Sequence, residues 1–124
     1  MGFFRKEVID FALDQQAREA IEEQRAWIAA EPSNPRPYQQ LALLYRMHGQ
    51  AEAALGLLLE AVLLDPGFAA AHVSLAEIYA VRDDREAARR HAELAAAHGD
   101  GRALEMLRRH GLVDPQAPNR SNDF

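Results

Sequence analysis

The chain is 124 residues long, 48% hydrophobic and 27% charged, with a net charge of −5 at pH 7. That length suits one domain, and that composition is globular rather than disordered. The acidic balance argues against attraction to nucleic acid or an anionic membrane, and the absence of cysteine excludes disulfides, thiol catalysis and thiolate metal sites.

From Phe3 to Ala30 there is no Gly or Pro, and Leu13, Ala17, Ala20, Ile21, Trp27 and Ile28 fall on or near one helical stripe. Phe4, Val8, Phe11 and Ala12 extend an apolar face toward the start. Arg5, Lys6, Glu7 and Asp10 interrupt that face, so the segment reads as neither a signal peptide nor a membrane span. Pro32-Ser33-Asn34-Pro35 stops the helix, because proline lacks an amide donor and disfavours helix at the residue before it. A second helix is expected from Arg36 or Pro37 to Met47, ended by His48-Gly49-Gln50. A third, Ala51 to Leu64, is apolar almost all round, which implies burial on more than one side. After Asp65-Pro66-Gly67 come a fourth from Ala69 to Val81 and a fifth from Arg85 to His98, with Asp84 placed to cap the fifth. A short polar helix, Arg102 to His110, reads as a solvating cap, and residues 112–124, which carry Pro115, Pro118, Asn119, Ser121 and Asn122 with little to bury, read as a disordered tail.

An internal repeat underlies this order. Leu41-Ala42 and Tyr45 recur 34 residues on as Leu75-Ala76 and Tyr79, Ala54 as Ala88, Ala61 as Ala95, and Pro32 as Pro66. A period of that length describes units that cannot bury their apolar faces alone and must stack. On these residues the chain resembles the tetratricopeptide repeat family, arrays of antiparallel helix pairs. Tyr38, Leu41, Ala42, Tyr45, Gly49, Ala54, Leu58, Ala61 and Pro66 follow the family pattern, with only Leu58 departing from aromatic to aliphatic. The next copy, His72, Leu75, Ala76, Tyr79, Asp83, Ala88, Ala92, Ala95 and Asp100, is weaker: His72 and Ala92 shrink the aromatic positions and Asp83 replaces the turn glycine. The resemblance implies an all-α solenoid in one domain, residues 1–111, with repeats at 35–68 and 69–101 and a cap at 102–111. Residues 1–34 are either a degenerate repeat bent at Asp14-Gln15-Gln16 or one continuous helix, the second reading favoured because nothing breaks the segment.

No pattern for catalysis stands out. His91 and His98 lie two helical turns apart, about 10.5 Å of rise, too far to share one ion, and no HExxH or HxH occurs. Ser33, Ser74 and Ser121 lack a nucleophile elbow. The expectation is a non-enzyme with no metal or cofactor. Arg82, Arg85, Arg89, Arg90, Arg108 and Arg109 concentrate positive charge, but interleaved Asp83, Asp84, Glu86 and Glu93 point to a solvated face.

The resemblance further implies a peptide-binding concave groove on the first helices, which places Gln39, Gln40, Leu43, Arg46, Met47, Val73, Glu77 and Val81 along it. The paired Asn and Lys or Arg with which some family members grip a terminal carboxylate are missing, since Leu43 and Glu77 stand at the asparagine positions. The expected function is therefore a protein-interaction adaptor for an amphipathic helix or apolar peptide. The alternative is a homo-oligomer formed through Phe3, Phe4 and Phe11; membrane docking by the same end is opposed by the acidic residues after Lys6. A bacterial, cytoplasmic setting is expected from the lone lysine among arginines, the abundant alanine and the lack of cysteine.

Overall fold

The computed structural model describes residues 2–113, with side chains from Asp14 onward. All six described elements are α-helices: α1 Gly2–Ala30, α2 Pro35–Met47, α3 Ala51–Leu64, α4 Ala69–Val81, α5 Arg85–Ala97 and α6 Arg102–Arg109. The chain divides into two compact units, Met1–Leu64 and Asp65–Phe124, where the repeat pattern suggests one domain. The division follows from how each central hairpin is flanked: α1 packs on α2 of the first hairpin, and α6 packs on both α4 and α5 of the second.

In the first unit, α1 is one continuous helix of 29 residues, without a bend at Asp14–Gln16. Ala17, Ala20, Ile21, Gln24, Trp27 and Ile28 form its half-buried stripe, while Asp14, Gln15 and Gln16 are all exposed. Arg25 of α1 reaches α2 by donating to the Tyr45 hydroxyl, and it pairs with Glu22 at 3.2 Å. Trp27, too bulky for the small-residue position the repeat would give it, stays half-buried and donates from Nε1 to Glu31. The α1–α2 junction is fastened by Asn34, whose side chain accepts from the Arg36 amide at 3.0 Å, and by Tyr38, whose hydroxyl donates to the Pro32 carbonyl at 2.9 Å. Pro35 and Pro37 in the first turn cost nothing there, because those amides have no intrahelical acceptor. Leu41, Ala42, Ala54, Leu58 and Ala61 make the buried core of this hairpin.

In the second unit, Val73, Ala76, Ala88, Ala92, Ala95, Ala103 and Leu107 form a core cluster, with Tyr79, Ala80, Leu104 and Met106 packed at its edge. Most of these positions are alanine, so helix backbones can approach closely and the larger Leu107 and Val73 fill what is left. The cluster also takes in Leu112 and Val113, the first two residues of the segment that reads as a tail; residues 114–124 lie outside the described residues.

Four helices end in the same way. Gly49, Asp83, Gly99 and Gly111 take positive φ (77°, 60°, 98° and 70°), and the next amide returns to the carbonyl five residues back: Gln50 to Tyr45, Asp84 to Tyr79, Asp100 to Ala95 and Leu112 to Leu107. These are Schellman closures, which usually demand glycine. Asp83 is the one non-glycine at this position and adopts the same backbone. Its exposed carboxylate gains only a surface contact to Arg85 at 3.3 Å. Asp83→Gly is therefore expected to stabilise the second unit by about 0.5–1 kcal/mol, read as a rise in the urea midpoint; a fall would mean that the Asp83 side chain outweighs the strain.

Candidate partner-binding surface

The spacing i, i+4, i+7, i+11 lines Arg36, Gln40, Leu43 and Met47 along one stripe of α2. Arg36, Gln40 and Met47 are exposed, and Leu43 is half-buried. Arg46 is half-buried beside this stripe. Gln39, however, is only 7% exposed, so it belongs to the interior of its unit rather than to an open surface.

The stripe that occupies the same repeat positions on α4 is Ala70, Ser74, Glu77 and Val81. Ser74 is buried, Glu77 half-buried and Val81 exposed. Val73 is placed differently from the groove expectation: it lies in the core cluster with Ala103 and Leu107, because α6 packs over that side of α4. Repeat analogy treats α4 as bearing a free face, and the cap helix takes part of it. The side chains of Phe3, Phe4 and Phe11 fall outside the described residues.

What the two stripes share is an apolar side chain in the last turn of each first helix. Met47 is 77% exposed and Val81 83%, and the two are one repeat apart. α3 adds Leu59 and Leu63, one helical turn apart, both exposed and Leu63 the more so.

The arginine concentration is largely neutralised from within. Arg89 makes two contacts to Glu93 at 3.0 and 3.1 Å and a further one to Glu86; Arg85 reaches Asp83; Arg109 lies 3.8 Å from Glu105. At the start of α6, Asp100 accepts from the Arg102 guanidinium at 2.7 Å and from its amide at 3.1 Å; the guanidinium bond, above all, holds the carboxyl below its ordinary range.

One polar cluster escaped the repeat pattern. His72 of α4 and His91 of α5 face each other with Nδ1 atoms 3.1 Å apart, and His72 Nε2 sits 2.7 Å from the Pro66 carbonyl. The Tyr79 ring stacks on His91, centroids 5.6 Å apart and planes within 9°. Both histidines are buried. A signal was present: one period earlier these positions hold Tyr38 and Leu57, so one hairpin exchanged two bulky side chains for two imidazoles. Two nitrogens are too few for a metal centre, and no group of three or more metal-binding side chains occurs among the described residues.

Among the described residues, two helix hairpins, α2–α3 and α4–α5, each with recurrent small residues buried in it and each flanked by a further helix, define the class: an α-helical repeat fold. The particular type follows from comparison with solved structures. The crystal structure of the Sgt2 TPR domain from Aspergillus fumigatus superposes with a TM-score of 0.68 at 22% sequence identity, over 92% of this chain and 83% of that one. The fold is thus the tetratricopeptide type, as the Leu-Ala and Tyr spacing implies. No family model matches the sequence, and no curated protein does. Among the described residues no helix is long and apolar enough to cross a membrane.

Proposed function

We propose that this protein is a non-catalytic interaction module that holds an apolar or amphipathic peptide segment of a partner protein on the first-helix stripe of a unit. On α2 the apolar contact would come from Met47, with Gln40, Leu43 and Arg46 around it; on α4 it would come from Val81, beside Glu77. The observation that carries this reading is the contrast within each helix: Leu41 and Leu75 are 3% and 0% exposed, while Met47 and Val81 stand almost fully in water. Fold stability does not require either exposed side chain, and apolar groups recurring at one repeat position suit a contact surface.

The test is a pair of variants, Met47→Asp and Val81→Asp, used with the parent chain as bait in its native cell extract after mild cross-linking. Both should keep native helicity, since neither residue is in a core, and both should lose the partner that the parent retains. Undiminished capture by the double variant would move the binding surface elsewhere, with Leu59 and Leu63 of α3 the next to be changed.

Self-association through Phe3, Phe4 and Phe11 is the second reading. It draws on helix length: at about 1.5 Å per residue, α1 is more than twice as long as the 13-residue α2 on which it packs. Its exposed turn at Asp14–Gln16 also lies between those phenylalanines and the α2 contact. Sedimentation of the full chain, with Phe4→Asp/Phe11→Asp as control, decides it: a monomeric parent removes the reading.

A further inference from the structure

The buried histidine pair has a proton arrangement that only one charge state satisfies. Pro66 offers a carbonyl, which can only accept, so His72 must carry its proton on Nε2. Neutral His72 is then an acceptor at Nδ1, and the 3.1 Å contact requires His91 to donate from its own Nδ1. The tautomers of both rings follow from a single backbone oxygen. A first added proton can enter only at His91 Nε2, which leaves the hydrogen bond intact but puts a cation between Tyr79 and the α4–α5 core.

Among the described residues no carboxylate acts on His91 to offset that charge, and the stacked Tyr79 ring face attracts it only weakly. From α4 the facing groups are His72 and the neutral Tyr79 ring, and from the loop the Pro66 carbonyl. From α5 itself the neighbour is Arg90, a like charge. The ionisable residues of α6 (Arg102, Glu105, Arg108 and Arg109) are all exposed, and that helix presents Ala103 and Leu107 to the core. We propose that the His72–His91 pair is an acid-sensitive latch between α4 and α5, closed while His91 is neutral and released when His91 takes up a proton. Burial, then His72 and then Arg90, lower the His91 pKa to about 4 from its ordinary 6.5, in keeping with this geometry.

The sign follows from linkage. The unfolded chain binds the His91 proton below about pH 6.5 and the folded chain only near pH 4. The latch therefore contributes fully above pH 6.5 and is lost as pH falls through that window. Between pH 7 and 5 the folding equilibrium constant of the second unit should fall by about 20-fold from this group alone. The test pairs urea unfolding of the full chain at both pH values with NMR titration of the imidazole Cε1–H signals. His91→Gln, whose amide still donates to His72 but does not titrate, should lose the 20-fold component. A His91 signal that titrates near 6.5 overturns the proposal, as does a His91→Gln variant that keeps the full acid loss. Should that variant not fold, the titration of the unaltered chain decides by itself.

Discussion

Truncating Leu107 to alanine should destabilise the second unit by about 2–5 kcal/mol, the usual range for deleting a fully buried leucine side chain. Leu107 is 0% exposed and is the largest residue of a cluster otherwise built from five alanines and Val73. The buried neighbours are mostly alanines that cannot reach into the void, so any closure must come from the partly buried Leu104, Met106 and Leu112 at its edge. The eight-residue α6 is too short to persist alone, so its helicity depends on this contact. Hydrogen exchange should therefore show protection falling first over residues 102–109 and next in α4 around Val73. A loss under about 1 kcal/mol would mean that α6 rests on the unit without belonging to its core.

The consequence for function is direct. If α6 holds Val73 out of solvent, then Leu107→Ala enlarges the apolar surface of α4, and partner capture in the mutant should become less selective while Met47 and Val81 remain unchanged. Position in the repeat alone could not reveal this, because Val73 occupies a position that the period assigns to an open face. Its burial depends on which helix follows the last repeat, a fact of tertiary packing.

Much else was legible because it depends on local chemistry with a short reach. The recurrence of Leu41-Ala42 and Tyr45 at Leu75-Ala76 and Tyr79 located both first helices, and Ala54, Ala61, Ala88 and Ala95, which recur with the same period, are all 0% exposed. Proline and asparagine at 32–35 located the first stop, and Asp84 caps α5 by accepting from the Ala87 amide at 3.2 Å. Three features were hidden for separate reasons. The pattern weighs His72 only as a reduced aromatic, so it misses a hydrogen bond to a ring 19 residues away. Asp83 reads as a lost turn glycine, yet the αL conformation survives because aspartate tolerates it better than most residues. Leu112 reads as the start of a tail, although an apolar residue directly after a closing glycine is itself part of a Schellman end, here bonded back to Leu107 at 2.8 Å. For the candidate surface, Met47 and Val81 were accessible to sequence reasoning, whereas the burial of Gln39 and Val73 was not.

The two hairpins should also refuse each other's core residues, and Leu58 is where this is sharpest. Leu58 and Ala92 are equivalent in the repeat, 1% and 0% exposed, and differ by three carbon atoms. In the first unit that space is filled from α3 itself, so Leu58→Ala leaves a cavity at an expected cost of about 2–5 kcal/mol. In the second unit Ala92 shares its cluster with Ala103 and Leu107 of α6, so the volume that Leu58 occupies is taken by the cap helix. Ala92→Leu should accordingly overpack and cost about 1–3 kcal/mol, with the exchange signature appearing in α6 rather than in α4. Urea unfolding gives the magnitudes and residue-resolved hydrogen exchange assigns each to its unit. The informative comparison is the double exchange. If Leu58→Ala and Ala92→Leu together cost the sum of the singles, each unit packs its own core; a partial recovery would mean that the two positions share a neighbour.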